Sequence, residues 1–267
     1  MKVDITYLGY SEAMMDLLAS HDYFCLKKII TKAGVLSKEK KSAIVQAGIA
    51  VVEDDSAKDL DEKIDTKICL IYKYGRIIPK SIIEKKDFYN IHPGSIRTNR
   101  GAHPLRWSVL LGDEYTCLSL YGIDGIDEGD LICEEPVKIE NLNYIEADDE
   151  MDRHLNNVLD SFVSYLEKGT ECEKVVNGIY RNKVSEEDYR IELKNDSFDT
   201  SQRKIRAVVD FGGAVVVWGN EKYRAVRAIE EDKFLEASSS ETPGQHIYLI
   251  GDKNGRYFIE CSEYKWI

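Results

Sequence analysis

Asn90 and His92 are separated by one residue in the short apolar run FYNIH, residues 88–92. On an extended strand that spacing points both side chains to one face. Asp127 lies in a turn predicted after the next strand-like run, residues 115–121. An asparagine amide can donate to an oxygen that becomes negative in a tetrahedral intermediate. A histidine moves a proton near neutral pH. An aspartate can orient the imidazole and keep it charged, or take a proton through water. Together they suit chemistry at a carbonyl. No serine or cysteine is spaced with them as a nucleophile, so the nucleophile is expected from the substrate. Spacing alone leaves another reading open: a strand-end histidine capped by a backbone group and an ordinary turn aspartate.

The elements that would position these residues follow from the pattern. Residues 2–8 read as a strand, with Ser11 as the cap of a helix bearing Met14, Leu17 and Leu18 on one face. Strands are predicted at 24–31, 49–52 and 68–72, with helices at 37–47 and 57–64 between them. The continuous apolar run ICLIY at 68–72 reads as a fully buried strand. The alternation implies an α/β fold, a mostly parallel Rossmann-like sheet with helices on both faces. Residues 131–139 read as a further strand. Residues 148–167 read as one long helix with the stripe Met151, Leu155, Val158, Leu159, Phe162 and Leu166, stopped by Gly169. His154 beside the stripe is read as structural. A polar linker at 185–195 divides a main domain, 1–190, from a small β-rich domain, 191–267. In the latter, 214–218 should pair with 223–229 through Gly219-Asn220, and 247–250 with 257–261.

With 267 residues, 43% hydrophobic and 31% charged, the composition is ordinarily globular. The net charge of −12 counts against a broad nucleic-acid surface. The 191–267 segment carries 11 Lys and Arg against 13 Asp and Glu, so it is not basic either. The six cysteines, at 25, 69, 117, 133, 172 and 261, form no CxxC pair and read as buried thiols of a cytoplasmic protein, with no metal site. The opening MKVDITYLG reads as a strand and turn rather than a signal peptide, and no apolar run is long enough to span a bilayer. The first turn lacks GxGxxG, so no dinucleotide is expected. Ser238 to Ser240 is a short serine run.

The stretch from 88 to 132 as a whole resembles the catalytic core of the formyltetrahydrofolate-dependent formyltransferases, closest to the sugar N-formyltransferases. The family pattern is N-x-H, R-G-x-x-P, a helix, then a strand ending in I/L-D-x-G-D. The matches here are Asn90, His92, Arg100, Gly101, Pro104, Asp127, Gly129 and Asp130. The resemblance covers roughly 1–190. It extends to an OB-like C-terminal domain through RKIRAV at 203–208 and the later Pro243-Gly244. It implies that Asn90 and His92 stabilise the oxyanion and shuttle a proton, with Asp127 tuning His92. It implies N10-formyltetrahydrofolate as donor, its pterin cradled by Gly75, Arg76, Ile77 and Ile78 and by Ile123, Asp124, Gly125 and Ile126. Plain core packing stays open for Ile77 and Ile126. Arg97 stands where the family usually has proline, and 116–119 read TCLS where T-G-V-T is usual.

The segment NRGAHPLRW, 99–107, looks most like the sugar enzymes. That implies a nucleotide-linked amino deoxysugar as acceptor, with Arg97, Arg100 and Arg106 toward a diphosphate and His103 or Trp107 along the sugar or base. A core role in the helix 104–111 is the equal alternative for Trp107. Methionyl-tRNA is the alternative acceptor. A non-catalytic folate- or nucleotide-binding relative is the alternative class. Relatives also suggest a homodimer.

Overall fold

The structure is a computed structural model that describes residues 2–54, 59–169, 171–234 and 247–262. Its elements begin with β1 (Val3–Gly9), α1 (Glu12–Ser20), β2 (Phe24–Thr31), α2 (Lys38–Gln46), β3 (Ala50–Glu53), α3 (Leu60–Lys63) and β4 (Ile68–Tyr72). They continue with α4 (Lys80–Ile83), β5 (Asp87–His92), β6 (Arg100–Gly101), α5 (Pro104–Leu111), β7 (Tyr115–Gly125), β8 (Glu128–Lys138), α6 (Tyr144–Arg153) and α7 (Leu155–Lys168). The chain then forms β9 (Glu173–Val175), β10 (Tyr180–Arg181), β11 (Arg190–Ile191), α8 (Phe198–Ala207), β12 (Ala214–Trp218), β13 (Glu221–Glu230), β14 (Ile247–Gly251) and β15 (Tyr257–Ser262). The serine run at 238–240 and Pro243-Gly244 lie outside the described residues, as does the start of the helix expected at 57–64.

Among the described residues one sheet has the order β3-β2-β1-β4-β5-β7-β8-β9. The first five of these strands run parallel to their neighbours. β7 is antiparallel to β5, and β9 to β8. The chain goes from β1 outward to β2 and β3, then returns to place β4 on the other side of β1. Ligands of such sheets bind beyond the carboxyl ends of the strands, near such a reversal. β5, two strands from that reversal, ends at His92.

The strands form where the sequence runs apolar without a break. In β1 the last five residues are buried, and so are the last four of β4, which is the signature of a strand covered on both faces. On one face Leu8, Ile30, Ile71 and Phe88 pack with Leu60, Ile64 and Ile82 from the α3 and α4 regions. On the other, Phe162 of α7 stacks on Phe24 of β2 at 5.5 Å and meets Tyr89 of β5 at 4.7 Å. Phe88 and Tyr89 are neighbours in sequence and therefore serve opposite faces. Ser11 and Ser37 cap α1 and α2, accepting from the Met14 and Lys40 amides.

Three sequence expectations are corrected. The helix expected over 148–167 begins earlier and is broken at His154, giving α6 and α7. The apolar stripe runs through the break, so periodicity could not reveal it; His154 is turned toward Glu135, with Nδ1 to Oε1 at 2.9 Å. The strand expected to stop at Tyr121 continues to Gly125. Finally, only Cys69 and Cys261 are buried, and the other four thiols are half-buried.

The Cα packing divides the chain into two compact units: 1–104 with 116–137 and 150–181, and 105–115 with 138–149 and 182–267. The polar stretch 185–195 falls in the second unit. That unit holds a five-stranded sheet, β11-β12-β13-β15-β14. Trp218 pairs with Glu221 across the Gly219-Asn220 turn, and β14 pairs antiparallel with β15. Within the same unit Arg106 is 4% exposed and forks onto Asp210 with both contacts at 2.8 Å. Its guanidinium lies between the rings of Tyr144 and Phe211, 3.8 and 4.1 Å from their centroids.

Candidate active site

β5 presents Phe88, Asn90 and His92 on one face by strand alternation. The antiparallel register of β7 sets Tyr121 opposite Asn90 and Ser119 opposite His92. β7 and β8 are joined by two residues, Ile126 and Asp127. A connection that short requires left-handed backbone, and Asp127 has φ +50°. Aspartate tolerates that conformation where branched residues do not. Gly129 follows at φ +153°, where a Cβ would stand 1.7 Å from the Gly122 carbonyl oxygen. The hairpin thus closes only with glycine at that position.

These elements bring the three sequence-predicted residues together. His92 is 4% exposed. Its Nδ1 lies 3.6 Å from Asp127 Oδ1, and its Nε2 is 2.9 Å from the Asn99 carbonyl oxygen. A carbonyl oxygen only accepts, so Nε2 must carry the hydrogen. Neutral His92 then offers a lone pair at Nδ1 toward a carboxylate. A proton taken at Nδ1 turns that approach into an ion pair.

Asp127 is held from two further sides. The Gly101 amide donates to Oδ2 at 2.9 Å, and the Tyr121 hydroxyl donates to Oδ1 at 3.1 Å. Asn90 in turn donates through Nδ2 to the Tyr121 hydroxyl at 2.8 Å. Burial, and next the Asp127 charge, hold the Tyr121 hydroxyl well above the ordinary phenol range, so it stays a donor at neutral pH. Tyr121 was not among the residues expected from the sequence. No spacing rule marks it; only the β5–β7 register does.

The Pro93–Asn99 loop is anchored by Ser119, which donates to the Gly94 carbonyl at 2.8 Å and accepts from the Ile96 amide. Glu134 accepts from Ser95 at 2.6 Å and pairs with Arg97, which also pairs with Glu173.

The residues expected along the acceptor are distributed differently. Arg100 is buried: it donates to the Ile126 carbonyl at 2.6 Å and pairs with Glu128 at 2.8 Å. Its fork is spent on the hairpin carrying Asp127. Arg106 is likewise committed to Asp210. Both therefore depart from the expectation of free diphosphate ligands, because each is neutralised by an internal carboxylate. Arg97 is the one of the three with a half-exposed side chain. His103 is half-buried just before α5. Trp107 belongs to the second unit, half-buried, with its indole N–H donating to the Asn182 carbonyl at 2.7 Å.

The segments expected to hold a pterin keep two large apolar side chains in solvent. Ile77 is 69% exposed and Ile126 is 53% exposed. Gly75 is exposed at φ +71°, and Arg76 is half-buried. Ile78, by contrast, is buried with Leu8, Ile71 and Ile82 and serves the core. Ile123, Asp124 and Gly125 form the end of β7 rather than a turn, and Asp124 pairs with Lys174 at 2.5 Å. No group of metal-ligating side chains occurs among the described residues. None of their helices is long and apolar enough to cross a membrane.

Residues 50–157, which include Asn90, His92, Arg100, Gly101 and Asp127, match the formyl transferase family model. A methionyl-tRNA formyltransferase from Prochlorococcus marinus (strain MIT 9215) is 28% identical over 192 residues, 66% of this chain and 58% of its own. The chain thus spans less than two thirds of that relative's length. HypX from Aquifex aeolicus, solved in complex with tetrahydrofolic acid, shares the fold with a TM-score of 0.66 at 17% identity, over 96% of this chain and 43% of its own. A sugar N-formyltransferase from Shewanella sp. shares it with a TM-score of 0.58 at 16% identity, over 82% of this chain and 94% of its own. Residues 50–157 thus carry the similarity to the formyl transferase family, and the fold is shared with these solved structures.

Proposed function

We propose that this protein moves the formyl group of N10-formyltetrahydrofolate to the amino group of a nucleotide-linked amino deoxysugar. The observation that carries the reaction is the convergence of Asn90, His92 and Asp127 at the end of β5. In this reading the acceptor amine attacks the formyl carbon. An Asn90 amide hydrogen stabilises the oxygen that becomes negative. His92 takes a proton at Nδ1, and Asp127 stabilises the imidazolium so formed. The proton lost by the amine passes to the leaving N10 nitrogen of the folate, and the carbon–N10 bond breaks as the new amide forms. Ile77 and Ile126 offer apolar contact to the pterin, with Gly75 and Arg76 beside them.

The amino-sugar acceptor is supported by charge. A net −12 overall, and no basic excess in 191–267, suit an acceptor that needs only a few phosphate contacts. Arg97 is half-exposed but paired with Glu134 and Glu173, so a phosphate contact there requires it to exchange one of those carboxylates. His103 and Trp107 are proposed along the sugar or base. Methionyl-tRNA is the second reading, favoured by the relative of that name. The reaction is expected to run as a homodimer in the cytoplasm.

The test is an end-point assay with N10-formyltetrahydrofolate and a panel of nucleotide-linked amino sugars, read by mass. A gain of one formyl group on one member establishes the reaction and the acceptor class. Formylation of methionyl-tRNA at a competitive rate, with no gain on any sugar, overturns the acceptor.

A further inference from the structure

We infer that Tyr121 is a positioning residue that ties Asn90 to Asp127, so that the oxyanion donor and the carboxylate share one fixed geometry. The Tyr121 ring is 1% exposed and packs with Ile96, Leu131 and Val175. That packing fixes where the hydroxyl oxygen stands. From there it accepts from Asn90 Nδ2 at 2.8 Å and donates to Asp127 Oδ1 at 3.1 Å. The direction of the chain is set at both ends. Asn90 can only donate through its nitrogen, and an ionised carboxylate can only accept. With one Nδ2 hydrogen spent on Tyr121, the Asn90 amide has a single orientation and one hydrogen left for a ligand. An asparagine without this partner could flip its oxygen into the place of the donor.

The other groups facing Asp127 do different work. The Gly101 amide fills Oδ2, Arg100 is neutralised by Glu128, and His92 approaches at 3.6 Å. Tyr121 alone among them reaches both Asn90 and Asp127. It is a positioning residue and not a proton carrier, because Asn90 has no proton to pass on at neutral pH.

The test uses the full-length protein with Tyr121→Phe, which keeps the ring and removes the hydroxyl. One arm rests on the formyl-transfer reading: kcat is expected to fall about 10- to 100-fold with the donor KM within about twofold, and the acid limb of the pH profile should move up by about half a unit or more as Asp127 loses a donor. Losses from Asn90→Ala and Tyr121→Phe should fall short of additive in the double variant. The other arm is independent of activity. Carbon-13 labelled aspartate reports the Asp127 titration by NMR, which should move in the same direction, while circular dichroism shows the fold retained. An unmoved Asp127 titration in folded Tyr121→Phe overturns the inference, whatever happens to kcat. A moved titration in a protein that formylates nothing leaves the inference standing and removes the proposed function instead.

Discussion

Arg100 donates to the carbonyl of Ile126 at 2.6 Å, one residue before Asp127. The same guanidinium pairs with Glu128, one residue after it, and the Gly101 amide grips the Asp127 carboxylate itself. An Arg-Gly dipeptide thus brackets the turn from both sides. A lysine cannot reproduce two directed contacts from one planar group. Arg100→Lys should therefore cost about 1–3 kcal/mol of stability, since Glu128 is left poorly paired, and lower kcat about 10-fold or more through a displaced Asp127. Thermal unfolding and steady-state kinetics on the same sample separate the two effects.

Gly101 has φ +114°, and a Cβ there would stand 2.1 Å from the Arg181 carbonyl oxygen. Backbone cannot yield as a side-chain tip can. Gly101→Ala is expected to open the Gly101–Arg181 pairing of β6 with β10 and to cost about 2 kcal/mol or more. Urea unfolding reads the loss. An alanine variant as stable as the parent would show that the chain passes this point by another path.

For His92 the expected result is a split between fold and rate. The imidazole is buried, but its ring nitrogens meet one carbonyl and one carboxylate. His92→Gln keeps an N–H for Asn99 and loses the titrating nitrogen. Formyl transfer should drop about 10²- to 10⁴-fold with little change in melting temperature. A rate within twofold of the parent would remove proton transfer from His92's role.

Burial pushes the thiols of Cys69, Cys117 and Cys261 up to about 12. At pH 8 they remain protonated, and the thiol form is a poor nucleophile. Iodoacetamide at pH 8 should leave these three unmodified in the native protein and label them after unfolding in urea. Peptide mass mapping gives the count at each position.

What was legible in the sequence was the motif and the alternation. Asn90, His92 and Asp127 were singled out by the resemblance of the whole 88–132 stretch, spacing alone having left a structural reading open, and the apolar run at 68–72 matched β4 to the residue. Tyr121 was not, because its partner Asn90 is set by strand register, which residue periodicity does not encode. Arg106 looked ligand-facing for a similar reason: Asp210, which neutralises it, is far along the chain. Residues 122–125 fall in the turn expected after residue 121, yet β7 runs through them because the hairpin to β8 supplies their pairing.

The bond from Asn90 to Tyr121 spans 31 residues, and that from Gly101 to Asp127 spans 26. The parallel half of the sheet, β1 to β5, can assemble from consecutive strand–helix units without either. On the proposed function, catalytic competence must wait for the antiparallel strand to close back on β5, a step that carries its own loop-closure entropy. During refolding, far-ultraviolet ellipticity should therefore recover ahead of formyl transfer, and the interval between the two would time the docking of that strand.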